Sequence, residues 1–476
     1  MISNFLDLIR ILRIISKKQI LIDSRVPKNF RFIGYILALF FAPISLIKKS
    51  SEDYGKRLID CLINLGPIYI KFGQTLSTRA DLVGVEIAEH LRLLQDKLTP
   101  FDSGVARKII EREFCKHNVM LWLDYGIHNS NWILRSRRGM TISHFNDTPV
   151  AAASISQVHK ARLATGEYVA VKILRPDIHK KYNRDIKLLY FLARIVSKFS
   201  KAKRLKPIKV VDKFHETMKF EIDLRLEAAA ASELMHNMRN DSNVIIPKIY
   251  WDLTSENILT TEWLEGTSIY DTSLLKQMGL EPKKIALGFA LMFFYQAYRD
   301  GFFHADLHAG NILVNKQGKI ILLDFGIMGR LNEKDRLAVA ESLFGFFKRD
   351  YKLVAKVHLK AGYIPSNTNL DLFAQSCRAV IEPIVGIPTK NISIGKLLAD
   401  LFKITEDFGM EIQPELLLLQ KTLIMVEGIG RQLDNNVNMW QLAEPWIKKW
   451  AVKNLSPEAK LLRLIKHYLT TLEDII

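Results

Sequence analysis

Acidic residues are scarce in this chain: 50 Asp and Glu stand against 68 Lys and Arg over 476 residues, a formal charge of +18. That imbalance argues against a basic partner and favours polyanions such as nucleic acid, anionic lipid or nucleotide phosphates. Nucleic acid is the least favoured, because no zinc-knuckle or RNP-type motif accompanies the charge. Cysteine is also rare. Cys61, Cys115 and Cys377 are odd in number, far apart and never in a CxxC pair. No disulfide framework or thiolate zinc site can be read from them, and a reducing compartment is expected. No unbroken apolar run reaches the ~20 residues of a spanning helix. The nearest, Ile33 to Ile47, is interrupted by Pro43 and suits a buried or interfacial segment. A basic n-region with an apolar core and cleavage site is missing, so no secretory leader is expected. What is plentiful is apolar residue, at 48%, enough for a sizeable core over two or three domains.

Patterning changes along the chain. Phe5, Leu8, Leu12 and Ile15 share one helical face, and Asp7, Arg10, Arg13 and Lys17 another. Such a basic amphipathic helix either lies on an anionic bilayer or packs on the body of the protein. Residues 51–145 read as mostly helical, with Lys71 and Gln74 on one face after Gly66-Pro67 and a second helical stretch from Gly84 to Lys97. From Val150 onward the pattern becomes β-like: AAASISQVHKARL, the turn Thr165-Gly166-Glu167, then YVAVKIL. One helix is expected over Val211 to His236, then strands near Ile245–Tyr250 and Asn257–Thr261. Ile285 to Phe294 is apolar nearly all round, as in a buried helix.

The chemistry concentrates in HADLHAGNILV and the following ILLDFG. Asp306 and Asn311 have the spacing of the kinase pattern H-R-D-L-x-x-x-N, and Asp324 opens a DFG triplet. Magnesium takes hard oxygen ligands, which Asn311 and Asp324 can supply. Asp306 can orient an attacking hydroxyl or water and accept its proton. Upstream, VAVK ends in Lys172, placed to pair nucleotide phosphates if a carboxylate holds it. Glu221, Asp223 and Glu227 are candidates on the helix that follows. The preceding loop has Ala151, Ala152, Ala153 and Ser154 where a kinase has glycines, so its methyl groups narrow the approach to phosphate. TTEWLEG stands where the segment between two kinase lobes belongs, with backbone near Glu262, Trp263 and Leu264 facing adenine.

With these residues in hand, the chain resembles the UbiB family of atypical kinases, associated with ubiquinone (coenzyme Q) biosynthesis. The motifs are KxGQ at Lys71-Phe72-Gly73-Gln74, the alanine-rich loop, ExD at Glu221-Ile222-Asp223, the catalytic loop and DFG, and a C-terminal helix over Leu416–Leu433. The resemblance implies an α+β, two-lobed protein-kinase-like fold with a helical N-terminal KxGQ extension. It implies ATP and Mg2+ as cofactors, with Glu227 as the partner of Lys172. It further implies a regulatory helix carrying Lys71 and Gln74, which covers the active site with Glu221 and Asp223 as partners. The expected divisions are a membrane-associating arm over 1–50, the extension over 51–145, a small lobe over 146–262, a large lobe over 263–440 and an amphipathic tail over 441–476. Family members in bacteria often carry a C-terminal membrane-spanning pair, whereas only amphipathic segments follow Trp440 here, so contact through the basic arm is expected. The expected setting is the cytoplasmic face of a bacterial inner membrane, peripheral or shallowly inserted. Anionic lipids and quinone-biosynthesis enzymes or intermediates are the expected partners. Ala305 replaces the arginine of H-R-D and no A-P-E follows DFG, which disfavours ordinary protein phosphorylation. The alternatives are a small-molecule phosphotransferase acting on a phenolic or prenylated compound, and a non-catalytic nucleotide-binding scaffold.

Overall fold

The computed structural model describes residues 2–23, 53–77, 99–116, 141–198, 206–384 and 413–435, with shorter pieces between and beyond them. The Ile33–Ile47 run lies outside the described residues. The chain forms two compact units, residues 1–228 with 249–263, and residues 229–248 with 264–476.

In the first unit an antiparallel sheet carries the order β1 (Leu134–Arg135), β2 (Thr141–Phe145), β4 (Ser156–Leu163), β5 (Tyr168–Leu174) and β7 (Ile258–Glu262), with β3 (Ala151–Ala152) paired to β4. The sheet thus begins at Leu134, earlier than the alternation from Val150 suggests, because β1 and β2 are too short for a period to register. Ala151 and Ala152 form β3, and Ala153 follows it as loop. Strand β5 shows why Lys172 is displayed. Val169, Val171 and Ile173 are buried in a core with Phe145, Ala161 and Leu163. The period of two then places Lys172 on the opposite face. Helix Ser103–Lys116 covers that core with Ala106, Ile109, Ile110 and Phe114.

Helices α1 (Ile2–Lys17), α2 (Tyr54–Leu65) and α3 (Pro67–Ser77) belong to the same unit, as do α6 (Ile178–Ser197) and α7 (Pro207–Glu221), α4 (Val85–Leu91) and α5 (Ser103–Lys116) lying between. Ile11 and Ile20 are buried, and α1 packs on α2 and α6. Lys18 pairs with Asp60 at 2.9 Å. Over Ile11–Ile20, then, the packed alternative holds, while Arg10, Arg13 and Lys17 remain exposed. The single helix expected over Val211–His236 is in fact two. Helix α7 ends at Glu221, and α8 (Leu224–Asn237) starts after a break at Ile222 and Asp223. Asp223 accepts from the Arg225 backbone N–H at 3.1 Å, an Asx-type bond that diverts the chain from helix.

In the second unit β10 (Ile312–Val314) and β11 (Ile320–Leu322) form the expected hairpin, flanked by β8 (Thr267–Ser268) and β6 (Val244–Ile245). Its turn is held by Asn315 Oδ1, which accepts from Gln317 and Lys319 N–H, and Gly318 supplies φ 78°. The strand expected over Ile245–Tyr250 is reduced to β6 and a single bridge at Ile249. Helix α10 (Pro282–Phe294), after α9 (Thr272–Gln277), is buried through Ile285, Ala286, Phe289, Ala290 and Phe293. It packs on the C-terminal helix Pro414–Leu433. Strand β9 (Phe302–His304) pairs with β12 (Met328–Arg330), so the HAD segment leaves, and the chain after DFG enters, one small ladder.

Candidate functional site

The first unit holds Lys172. Its Nζ donates to both oxygens of Glu227, at 2.8 and 2.9 Å, and Glu227 is buried. An ammonium gripped by both oxygens of a buried carboxylate has little freedom to swing. The loop above it is fixed from behind. Ala153 N–H donates to Ser156 O at 2.8 Å, Ser154 is fully buried, and Arg175 donates to Ala153 O through Nε and Nη2. Sequence reading passed over Arg175, although an arginine just past an apolar strand was the available signal.

Each residue of Lys71–Gln74 has a separate attachment within this unit. Lys71 pairs with Glu221 at 3.0 Å, both side chains being largely covered. Phe72 meets Phe214 edge-on with ring centroids 5.1 Å apart. Gly73 permits close helix packing, since a Cβ there would stand 2.5 Å from Leu94 and 2.7 Å from Leu62. Gln74 Nε2 donates to Leu94 O at 3.1 Å. Asp223 departs from expectation. Its partner is Arg225, at 2.7 Å and 2.9 Å, and not Lys71. Those guanidinium bonds hold the Asp223 carboxyl below its ordinary range. The break at Ile222 separates Asp223 from the end of α7, where Glu221 meets Lys71.

The second unit holds Asp306, Asn311 and Asp324, and His304 ties them. His304 is fully buried, and burial lowers its pKa, so the ring is neutral. Asp306 N–H donates to Nδ1 at 3.2 Å, which leaves the proton on Nε2 to donate to Leu323 O at 3.0 Å. One ring thereby bridges the Asp306 loop and the residue before Asp324. Ala305 N–H donates to Ile327 O, and Leu323 N–H to Asn311 O, adding two more ties. Asn311 is buried, and its Nδ2 donates to Asp306 O at 3.0 Å. The amide is thus turned so that Oδ1 stands opposite as an acceptor. Asp324 is exposed, sits at φ 55° and accepts from Gly326 N–H at 3.2 Å. Aspartate is among the few residue types that tolerate left-handed backbone, through a local side-chain bond of this kind, so the carboxylate is aimed by the turn. Asp306 is partly exposed, with His308 Nε2 3.7 Å from its carboxylate.

Among the described residues no three His, Cys, Asp or Glu converge into a protein-only metal cage. Magnesium needs none, since it takes one or two carboxylates, water and substrate phosphate oxygens. An exposed Asp324 carboxylate and an oriented Asn311 amide oxygen are a donor set of that kind. Glu262 ends β7, paired with Val169, and the division between the two units falls between Trp263 and Leu264.

A profile of the ABC1 atypical kinase-like domain matches residues 134–358, and one of the UbiB helical domain matches residues 377–438. A chain of Marinobacter nauticus named "Probable protein kinase UbiB" is 39% identical over 445 residues, 92% of this chain and 78% of that one. A Vibrio cholerae chain of the same name is 41% identical over 418 residues, 87% of this chain and 73% of that one. A solved structure titled as the complex of Rv3197 with erythromycin from Mycobacterium tuberculosis aligns at TM-score 0.49 and 20% identity, covering 87% of this chain and 96% of that one.

Proposed function

Since this chain belongs to the UbiB family of ABC1-type atypical kinases, we propose that it binds Mg-ATP and turns it over at a membrane surface in support of ubiquinone biosynthesis, without ordinary protein phosphorylation. The observation that carries this reading is the His304 bridge, which couples the Asp306 loop to the residue before Asp324, together with the Asn311 amide nitrogen bonded to Asp306 O, which leaves its oxygen as an acceptor. In the proposed roles, Lys172, steadied by Glu227, pairs the nucleotide phosphates. Asn311 and Asp324 hold magnesium, which when bound neutralises phosphate charge. Asp306 orients the attacking hydroxyl or water and takes its proton. Backbone at Glu262 and Leu264 receives adenine, and the loop Ala151, Ala152, Ala153 and Ser154 covers the phosphates more tightly than glycines would. Lys71, with Glu221, and Gln74 regulate access by fixing α3; Asp223 supports that segment through Arg225.

Anionic lipid is the proposed surface partner. The outward faces of α1 and α6 carry Arg10, Arg13, Lys17, Lys187, Arg194 and Lys198. Phe191 and Ile195, 48% and 40% exposed, stand among the α6 cations. Cations flanking apolar side chains suit a bilayer interface better than a nucleic acid. No helix among the described residues is long and apolar enough to cross a membrane.

The test is Mg-dependent ATP consumption by the purified chain, with and without anionic liposomes and phenolic quinone precursors. Phosphate release without a phosphorylated acceptor is expected. A phosphorylated phenolic compound would instead make the protein a small-molecule phosphotransferase. ATP binding with no turnover in any condition would refute the enzymatic reading and leave a scaffold. Deleting residues 1–48 should weaken sedimentation with anionic liposomes; undiminished sedimentation would refute the arm's role.

A further inference from the structure

The HAD segment rests on a feature that no motif includes. After Phe294 the α-helix widens into a π turn over Tyr295–Asp300, closed by Gly301 at φ 70°. Gly301 is required for space as well as for φ, because a Cβ there would come within 2.6 Å of Leu331 O. Gln296, Ala297 and Tyr298 are all buried, at 1%, 0% and 1% exposure. Three consecutive residues sweep about 200° around a regular α-helix, so burying all three is not what an ordinary amphipathic turn does. Widened turns of this kind recur at functional sites.

The widened turn delivers Gln296 to the catalytic segment. Its Oε1 accepts the His304 backbone N–H at 3.0 Å, a bond buried at both ends. The other half of the amide, Nε2, is buried and has no hydrogen-bond partner among the described residues. The side chain is therefore held for its acceptor, since an apolar residue of the same length would fill the space without burying a polar nitrogen. From His304 the chain of bonds runs to Asp306 through Nδ1 and to Leu323, the neighbour of Asp324, through Nε2.

We propose that Gln296 is a positioning residue for phosphoryl transfer: presented by the π turn, it fixes the His304 backbone and so sets Asp306 relative to Asp324. This rests on the ATP-turnover reading above. It makes no contact with nucleotide, so it affects the chemical step and leaves ATP binding alone.

The test uses the full chain with three substitutions. Gln296→Met keeps length and removes the acceptor. Gln296→Asn keeps the amide but withdraws it by one methylene, and carries the test if the methionine variant fails to fold. Gln296→Glu retains a carbonyl acceptor, because a carboxyl buried this deeply stays protonated. Gln296→Met and Gln296→Asn should lower kcat for Mg-dependent phosphate release by about tenfold to a hundredfold, the scale of a misplacement near 1 Å. KM for ATP should stay within about twofold, and Gln296→Glu should restore most of kcat. Ile285→Val, another buried change on α10, should leave kcat unaltered at a comparable Tm. Normal kcat in Gln296→Met and Gln296→Asn, or a rise in KM with kcat unchanged, overturns the proposal. If the unsubstituted chain turns over no ATP, the ATPase reading fails separately. Positioning is then decided by amide hydrogen exchange of the 302–308 peptide. Faster exchange in the methionine and asparagine variants, with protection restored by glutamate, supports the inference, and equal protection in all of them refutes it.

Discussion

Substituting Glu227 by glutamine probes the Lys172 grip most directly. The change is isosteric and keeps one oxygen acceptor, but it removes the negative charge facing Lys172 Nζ at 2.8 Å. Two charges about 3 Å apart at an effective dielectric of ~20 attract by roughly 5 kcal/mol before desolvation is counted. Truncating one partner of a buried pair costs about 3–5 kcal/mol. Lys172 keeps 17% of its side-chain surface in solvent against 7% for Glu227, so part of the ammonium remains hydrated. One amide oxygen also survives, which brings the expected loss to about 2 kcal/mol. For a unit of this size that is a fall in Tm of about 4–8 °C. The comparison is Glu233→Gln, which removes the Arg330 pair at 2.7 Å, where the side chains are 63% and 39% exposed. Exposed pairs contribute about 0–1 kcal/mol, so that Tm should scarcely move. Both variants are followed by thermal unfolding and by ATP affinity, which should fall about tenfold only in Glu227→Gln, since a released Lys172 must be reordered on binding. Equal Tm shifts in the two variants, or unchanged ATP affinity in Glu227→Gln, would refute the assignment of Lys172 and Glu227.

Three further outcomes follow from the geometry. Asp324→Asn should abolish Mg-dependent turnover with little loss of Tm, because asparagine tolerates the φ of 55° while losing the charge; unchanged turnover would remove Asp324 from the metal site. His159 is fully buried, with Nδ1 facing Asn146 O and Nε2 facing Gln157, and burial lowers its pKa from 6.5. The unfolded chain therefore takes up a proton that the folded chain refuses as pH falls below about 6.5, and stability present above that pH is lost towards the depressed pKa. Unfolding free energies from urea titrations between pH 7 and 5 should fall by up to about 1.4 kcal/mol per pH unit for this group, and less steeply in His159→Phe; parallel slopes would contradict the assignment. Gly329→Ala would drive a Cβ to 2.1 Å from the buried Phe303 ring, whereas Gly428→Ala meets nothing within 4 Å. The first should cost about 1–3 kcal/mol or more and the second should be neutral or slightly stabilising by thermal denaturation, and similar Tm values for both would contradict the packing of β9 against β12.

The parts that were legible from sequence share a physical character. Lys172 was readable because YVAVKIL alternates, and a period of two assigns the lysine to the face opposite Val169, Val171 and Ile173. The hairpin that brings Asn311 and the strand before Asp324 together was readable because it has strong turn signals at Asn315 and Gly318. The ends of weak elements were not legible. β1 has two residues and no period, and the break between α7 and α8 lies in a run whose apolar spacing continues across it. The resemblance places Asp223 with Lys71, but the break at Ile222 lets it close on Arg225 two residues on, a local bond no motif encodes.

By itself, the sequence determined the family and the α+β kinase-like class. Both follow from the resemblance that the motifs KxGQ, ExD, HADLHAGN and DFG carry, which residue order alone specifies. Tertiary structure decided which partner each charge received. It gave Glu227 to Lys172, Glu221 to Lys71 and Arg225 to Asp223. It also supplied Gln296 and His304 as the buried frame behind Asp306. Pairing and burial of this kind depend on contacts between residues far apart in the chain, and a buried amide such as Gln296 looks in sequence like any other polar residue at the end of an apolar helix.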